Sequence, residues 1–486
     1  MHKIKWNILW GVFITFAFLM LLFIRLEFFQ KKLEPVTALQ ISKSQLPRDT
    51  WMNIYQNNKK IGFVHRTLTT LGEKLHFNET VFMQINTMGI TQALNILTEG
   101  DLNPDTTLSS FNFNLNSSMF RFNARGYVAN NKLILFTGMP NAQRKSEIPL
   151  KDIPHISGSI YDAAFHADLE KDTASNFSIF DPSTMSIRAI KVTRSADEII
   201  PLMGKRILTK KYCADFMGAK NCAWLSKEGD VLKETGILGI SMEKVSPQKA
   251  REGISDQVNF DLTQISSIPS NVEITEPEKL REIKIKIGGI SGSLLLDSDR
   301  QKFQHNILTI TKENLSSFPV LNNISKEIAV FLKPSPLMQS DDPQIKAQAG
   351  KIIKPTDTPE EKARKIVNWA YRNLEKKPAL SVPNALEVLK NKSGDCNEHS
   401  VLTVALLRAA GIPAQIEAGL VYLHGRFYYH AWVVFYSKKW ITADAVFNQL
   451  PADVTHIRLV RGDGGEQLNL IGVIGKIKLE VLEQRK

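Results

Sequence analysis

Three residues in the C-terminal part of the chain have the types and spacing for nucleophilic thiol chemistry: Cys396, His430 and Asp444. Cys396 stands in Gly394-Asp395-Cys396-Asn397-Glu398-His399, which reads as a helix start. Asp395 can cap the free backbone N–H groups, and Glu398 sits three residues on, as in a capping box. A thiol in that first turn meets the positive end of the helix dipole, so its pKa is expected to fall and its thiolate fraction to rise. His430 lies in Tyr429-His430-Ala431-Trp432, within a strand pattern, and Asp444 ends Trp440-Ile441-Thr442-Ala443-Asp444, the next strand. In such a set the imidazole takes the thiol proton and later protonates a leaving amine, while the carboxylate fixes the imidazole tautomer.

The elements around these residues must bring them together. Val401, Leu402, Val404, Ala405, Leu406 and Leu407 make the Cys396 helix apolar nearly all round, so it is expected to be buried. Gly411 ends it, with Pro413 beyond. His430 and Asp444 share a face of their hairpin only if the loop near Ser437-Lys438-Lys439 has odd length; a two-residue loop would put them on opposite faces. Among the other histidines, His399 is assigned to packing or capping, His424 to a turn, and His456 to a solvent-facing position past the core motif. Tyr428 and Tyr429 are assigned to the core. The backbone N–H of Cys396 is the best candidate for an oxyanion donor.

Upstream, Thr358-Pro359-Glu360-Glu361 is a capping box opening a helix to about Leu374, and Asp341-Asp342-Pro343 opens another. Before these, period-two alternation dominates. Leu75, Phe77, Val81, Met83 and Ile85 alternate with polar residues, as do Phe111, Phe113 and Leu115 with Asn112, Asn114 and Asn116. That pattern predicts antiparallel strands with one wet face. A smaller β segment has Ile283, Ile285 and Ile287 alternating with lysines, with 294–296 and 307–310 as expected partner strands.

The N-terminus carries an uncharged run from Ile8 to Ile24, flanked by Lys3, Lys5, Arg25, Lys31 and Lys32. At about 1.5 Å per residue it would span roughly 25 Å, enough for a bilayer core. It reads as an uncleaved anchor, with basic residues balanced on its two sides so that charge barely decides orientation. Of the three cysteines, Cys213 and Cys222 enclose a short loop that suits either a hairpin-closing disulfide or two buried thiols. If oxidised, they imply an oxidising compartment and leave Cys396 as the odd, reactive thiol.

Four segments resemble the transglutaminase-like superfamily of papain-like folds: Ser393-Gly394-Asp395-Cys396-Asn397-Glu398-His399, Leu406 to Ala414, Tyr429-His430-Ala431-Trp432 and Trp440 to Asp444. The resemblance covers roughly Asp341 to Asn448. It implies a catalytic cysteine, histidine and aspartate at Cys396, His430 and Asp444, acting through a thioester by acyl transfer from an amide to an amine or to water. Thr442-Ala443 departs slightly from the family's usual Val or Pro before the aspartate. No calcium-site pattern is apparent, and neither a metal nor a cofactor is assigned. The upstream β regions are more loosely similar to modules of bacterial members.

The resulting expectation is an α+β chain in four parts. These are a transmembrane helix at 1–33, an antiparallel β domain at 45–262 (a curved sheet or half-barrel), a small β module at 263–340, and a transglutaminase-like domain with a C-terminal extension at 341–486. The expected setting is membrane-bound, with the large domain periplasmic or otherwise extracytoplasmic; Asn-x-Ser/Thr sequons such as Asn78 and Asn116 leave a glycosylated setting open. Expected partners are a protein, peptide or cell-wall peptide substrate and, through the anchor, the membrane. Net charge is +12 but the basic residues are dispersed and no nucleic-acid motif appears, so nucleic acid is not an expected partner. Two rival readings remain at this stage: a catalytically silent version of the fold that binds peptide or wall polymer, and a lipid or lipoprotein carrier acting through the β domain.

Overall fold

The computed structural model describes residues 46–486 except 119, 139–142, 217–218, 237–238, 255–260, 291–293, 316–324, 380–381, 464–465, 467–469 and 471. The expected anchor at 1–33 lies outside the described residues. Among those described, no helix is long and apolar enough to cross a membrane. The α+β expectation is corrected by the balance of elements: the described residues are mostly β, 49% strand against 19% helix. The longer helices are confined to Pro343–Ile352, Pro359–Asn373 and Cys396–Ala409, while strands fill most of the remainder.

A 16-stranded sheet runs from Arg48 to Val245. Its first strand, Arg48–Gln56, sits mid-sheet, paired with Lys59–Leu71 on one side and with Ile240–Val245 on the other. From there the sheet extends as antiparallel hairpins in both directions, ending at Arg144–Pro149 and at the parallel pair His155–Ile156. The alternation of Phe77, Phe111, Phe113, Leu133 and Leu135 with polar neighbours places these side chains in one apolar cluster. A second cluster gathers Met52, Ile54, Val192, Tyr212 and the short helix Ile160–His166, every residue of which is buried. Cys213 pairs directly opposite Cys222 in the register, and the two form a disulfide.

The small β segment becomes a 4-stranded sheet of Gln301–Gln304, Ile307–Thr311, Glu282–Gly288 and Lys478–Arg485. Its edge therefore comes from the C-terminal end of the chain, with Lys284 against Glu483 across the pair. Residues 294–296, expected as a strand, form none; Leu296 is instead a buried core residue. Ile283, Ile285, Ile287, Leu308 and Ile310 share one continuous core with Leu402, Leu406 and Phe435, so this sheet is packed onto the helices and strands of the C-terminal part. Leu337 and Val382 lie in the same apolar cluster as Phe77 and Phe122 of the large sheet.

The third sheet has five strands: Ile268–Pro269, Arg426–Ser437, Ala414–Leu423, Ile457–Arg461 and Lys439–Ala443. The helix Cys396–Ala409 packs on Ala414–Leu423 and Arg426–Ser437, with every residue from Glu398 to Arg408 buried. Truncating Leu402 or Leu406 there would cost about 2–5 kcal/mol.

Candidate active site

The Cys396 helix starts on a complete capping box. The Asp395 side chain accepts from Asn397 N–H at 2.8 Å, and Asp395 N–H donates to Glu398 at 2.9 Å. Gly394 is required by space: a Cβ there would fall 2.2 Å from the Glu398 Cβ. The cap does not use the N–H of Cys396.

Cys396 is half-buried and is the free cysteine of the chain. Here the expectation of a lowered thiol pKa is corrected. Burial pushes the thiol well up from its ordinary value, and the Asp395 charge pushes it further. A hydrogen bond from the Ala431 backbone acts in the opposite direction, while Glu398 and Asp444 add to the rise. The turn that starts the helix also carries the two capping carboxylates, Asp395 and Glu398, whose charges oppose a thiolate. Burial and these charges favour the neutral thiol over the thiolate. Its Ala431 contact places it beside the residue that follows His430.

The hairpin register decides the rest. Val433 pairs with Ala443 and Ser437 with Lys439, leaving Lys438 alone between the strands, a turn of odd length. Asp444 follows directly on Ala443, on the face of His430. His430 Nε2 lies 2.6 Å from Asp444 Oδ2. A carboxylate only accepts, so Nε2 carries the proton and the neutral ring keeps its lone pair on Nδ1. Asp444 is completely buried, yet its carboxyl is held far below the usual range: the burial penalty is overcome by His430 and His456. The His430 ring is flanked by Trp432 at 6.2 Å and Phe447 at 5.2 Å between centroids. Trp432 is fixed in turn by its Nε1–H donating to buried Glu417 at 2.8 Å.

The other histidines divide clearly. His399 is buried, and its Nδ1 donates to the Asp395 carbonyl at 2.7 Å, a capping geometry. Burial lowers its pKa. His424 is exposed in a turn. His456, expected at the surface, is wholly buried and belongs to the site: its Nε2 lies 3.0 Å from Asp444 Oδ2 and its Nδ1 3.2 Å from Asp453 Oδ1. The signal that would have pointed to it is Asp453-Val454-Thr455-His456, an acid-led turn just before an apolar strand. The Asp453 carboxylate indeed accepts from the N–H and hydroxyl of Thr455.

Arg300 of the small sheet holds that turn from behind, donating to the carbonyls of Ala452, Asp453 and His456 at 2.7, 3.0 and 3.0 Å. Its partner Glu313 accepts from the N–H and hydroxyl of Thr442. The family-atypical Thr442 thus has a bonded role in fixing the Asp444 strand. His430, Asp444 and His456 bring metal-ligand atoms within 4.8 Å of one another. Both Nε2 atoms lie at hydrogen-bond distance from Asp444 Oδ2, and pairing with that carboxylate accounts for the closeness of the three side chains.

Residues 346–445 match the family model described as the Transglutaminase-like superfamily. A comparison with curated proteins finds no match. Among solved structures, a candidate cysteine protease from Cytophaga hutchinsonii is 16% identical with a TM-score of 0.28, over 42% of this chain and 84% of that one. The periplasmic domain of TgpA from Pseudomonas aeruginosa is 13% identical with a TM-score of 0.25, over 38% and 92% respectively. A β-barrel-like protein of a domain of unknown function from Brucella abortus is 10% identical with a TM-score of 0.32, over 41% and 95%. On this match, residues 346–445 are similar to the transglutaminase-like superfamily.

Proposed function

We propose that this protein is a cysteine acyltransferase or hydrolase acting on amides. The observation that carries the reading is the 2.6 Å pairing of His430 with Asp444, with Cys396 bonded to the backbone of Ala431, the residue that follows His430. His430 Nδ1 takes the Cys396 proton as the sulfur attacks the amide carbonyl carbon. The resulting oxyanion is assigned to the backbone N–H of Cys396. As the C–N bond breaks, His430 returns that proton to the departing amine and a thioester remains. An incoming amine or water then gives up a proton to His430, attacks the thioester, and the thiol is regenerated.

Burial and the neighbouring carboxylates favour the protonated thiol, which suits His430 to the role of general base during attack. The substrate class that fits is a protein, peptide or cell-wall peptide amide. The Cys213–Cys222 disulfide supports an oxidising, extracytoplasmic compartment. The test is labelling of the full chain with a cysteine-directed acyl probe, then mass spectrometry of products with and without an added primary amine. An amine adduct identifies a transferase and a free carboxyl product a hydrolase; no covalent adduct at Cys396 would leave only a binding role.

A further inference from the structure

The acid of the site has more partners than a single histidine requires. Asp444 Oδ1 accepts from the N–H groups of Val446 and Phe447, at 2.6 and 3.1 Å. Its Oδ2 accepts from His430 and from His456. Four N–H donors fill the accepting capacity of one carboxylate, and none of them can accept a proton back. Asp444 is thus ionised while completely buried, a state that demands compensation.

His456 supplies it. Each of its ring nitrogens faces a carboxylate oxygen, Asp444 on one side and Asp453 on the other. Two acceptors on one imidazole require both nitrogens to be protonated, so the ring is an imidazolium. We propose that His456 is a positioning residue, a buried cation that holds Asp444 ionised and aimed at His430 and tempers the negative charge His430 feels. This proposal deepens the acyl-transfer reading and rests on it.

The surroundings of His456 agree on its charge. From the strand end comes Asp444, from its own turn Asp453, and from the neighbouring strand His430, with 5.9 Å between ring centroids. Arg300 touches its backbone carbonyl and is itself paired with Glu313. Trp432 and Phe447 close the ring off edge-on at 5.1 and 6.1 Å. Burial opposes the charge, but Asp453 and Asp444 outweigh it and raise the pKa to about 9. Replacing the cation with a neutral group leaves the buried carboxylates of Asp444 and Asp453 uncompensated, and that negative charge favours a protonated site over a free base.

Two measurements on the full chain test this. With ¹⁵N-labelled histidine, one buried ring should show both nitrogens protonated at pH 7, and Asp453→Asn should lower the titration midpoint of that ring by a unit or more. Alkylation of Cys396 by iodoacetamide is then followed against pH. His456→Gln keeps a donor for Asp444 without the charge, and should shift the acid limb of the profile upward by about one unit while slowing the reaction roughly ten-fold at pH 7. A purely structural His456 would lower the rate without moving the limb. A neutral His456 ring at pH 7, or superimposable profiles, overturns the proposal and leaves the acyl-transfer reading intact. If His430→Ala alkylates like the wild type, the reading itself falls and takes the catalytic part of the proposal with it; the histidine spectrum distinguishes the two failures even if His456→Gln does not fold.

Discussion

Asp444 follows directly on Ala443, which pairs with Val433 across a hairpin whose turn has odd length, and its carboxylate lies 2.6 Å from His430. One residue more or less in the turn at Lys438 would put Asp444 on the far face. Deleting Lys438, a loop residue at φ 65°, should therefore separate His430 from Asp444 and lower Cys396 reactivity as far as Asp444→Ala does, roughly 100-fold. Rate measurements on the two variants side by side check this; a fully reactive deletion variant would mean that register is not what assembles the site.

The protonated thiol has its own signature. Burial and the Asp395 charge raise the Cys396 pKa, so alkylation should keep climbing above pH 8.5, the range of an ordinary thiol, without levelling off. Asp395→Asn removes a carboxylate whose charge opposes the thiolate and should bring the rise to lower pH, at a cost of about 1 kcal/mol in helix stability at most because Asn also caps. A plateau reached by pH 6 would show a standing thiolate and contradict this electrostatic account.

Stability should depend on pH through His456. Its folded pKa of about 9 lies above the ordinary value of 6.5, so the stabilisation is fully present below pH 6.5 and lost as pH rises through 9. Urea unfolding of the wild type should weaken across that window more than unfolding of His456→Gln. Asp444 and Asp453 act in the other sense: both are depressed, and their contribution, present above about pH 4, is lost as pH falls. Parallel curves for wild type and variant between pH 6.5 and 9 would exclude a charged His456 in the folded state.

The disulfide is testable without substrate. Alkylation of the native chain without reductant should modify Cys396 alone, and Cys213→Ser with Cys222→Ser should lower unfolding stability by about 2–3 kcal/mol. Three alkylated cysteines in the unreduced, unfolded chain would remove the argument for an oxidising compartment.

Much of the site was legible because local rules mark it. Thr358 with Glu361 and Asp395 with Glu398 form their capping boxes, and the residues from Val401 to Leu407 are buried as their uniform apolarity required. The alternation of Phe77, Phe111 and Phe113 likewise placed those side chains in one core. What escaped was non-local. The edge strand Lys478–Arg485 reaches its partner Glu282–Gly288 across most of the C-terminal half, and no local pattern announces such a pairing. His456 read as a surface histidine because its two carboxylates arrive from another strand and from a turn. The Cys396 thiol was misjudged for a related reason: the helix start was visible, but the balance between its dipole and the buried charges of Asp395 and Glu398 depends on packing.

The most direct test of the central claim is the second-order rate of Cys396 acylation by an activated acyl probe at pH 7, in wild type and in His430→Ala. If His430 is the base for a protonated thiol, its loss should slow acylation by 100-fold or more, in line with general-base contributions of about 10²–10⁴, while His399→Ala should change the rate little. Equal rates in wild type and His430→Ala, or a collapse confined to His399→Ala, would contradict the assignment of Cys396, His430 and Asp444 as the catalytic set.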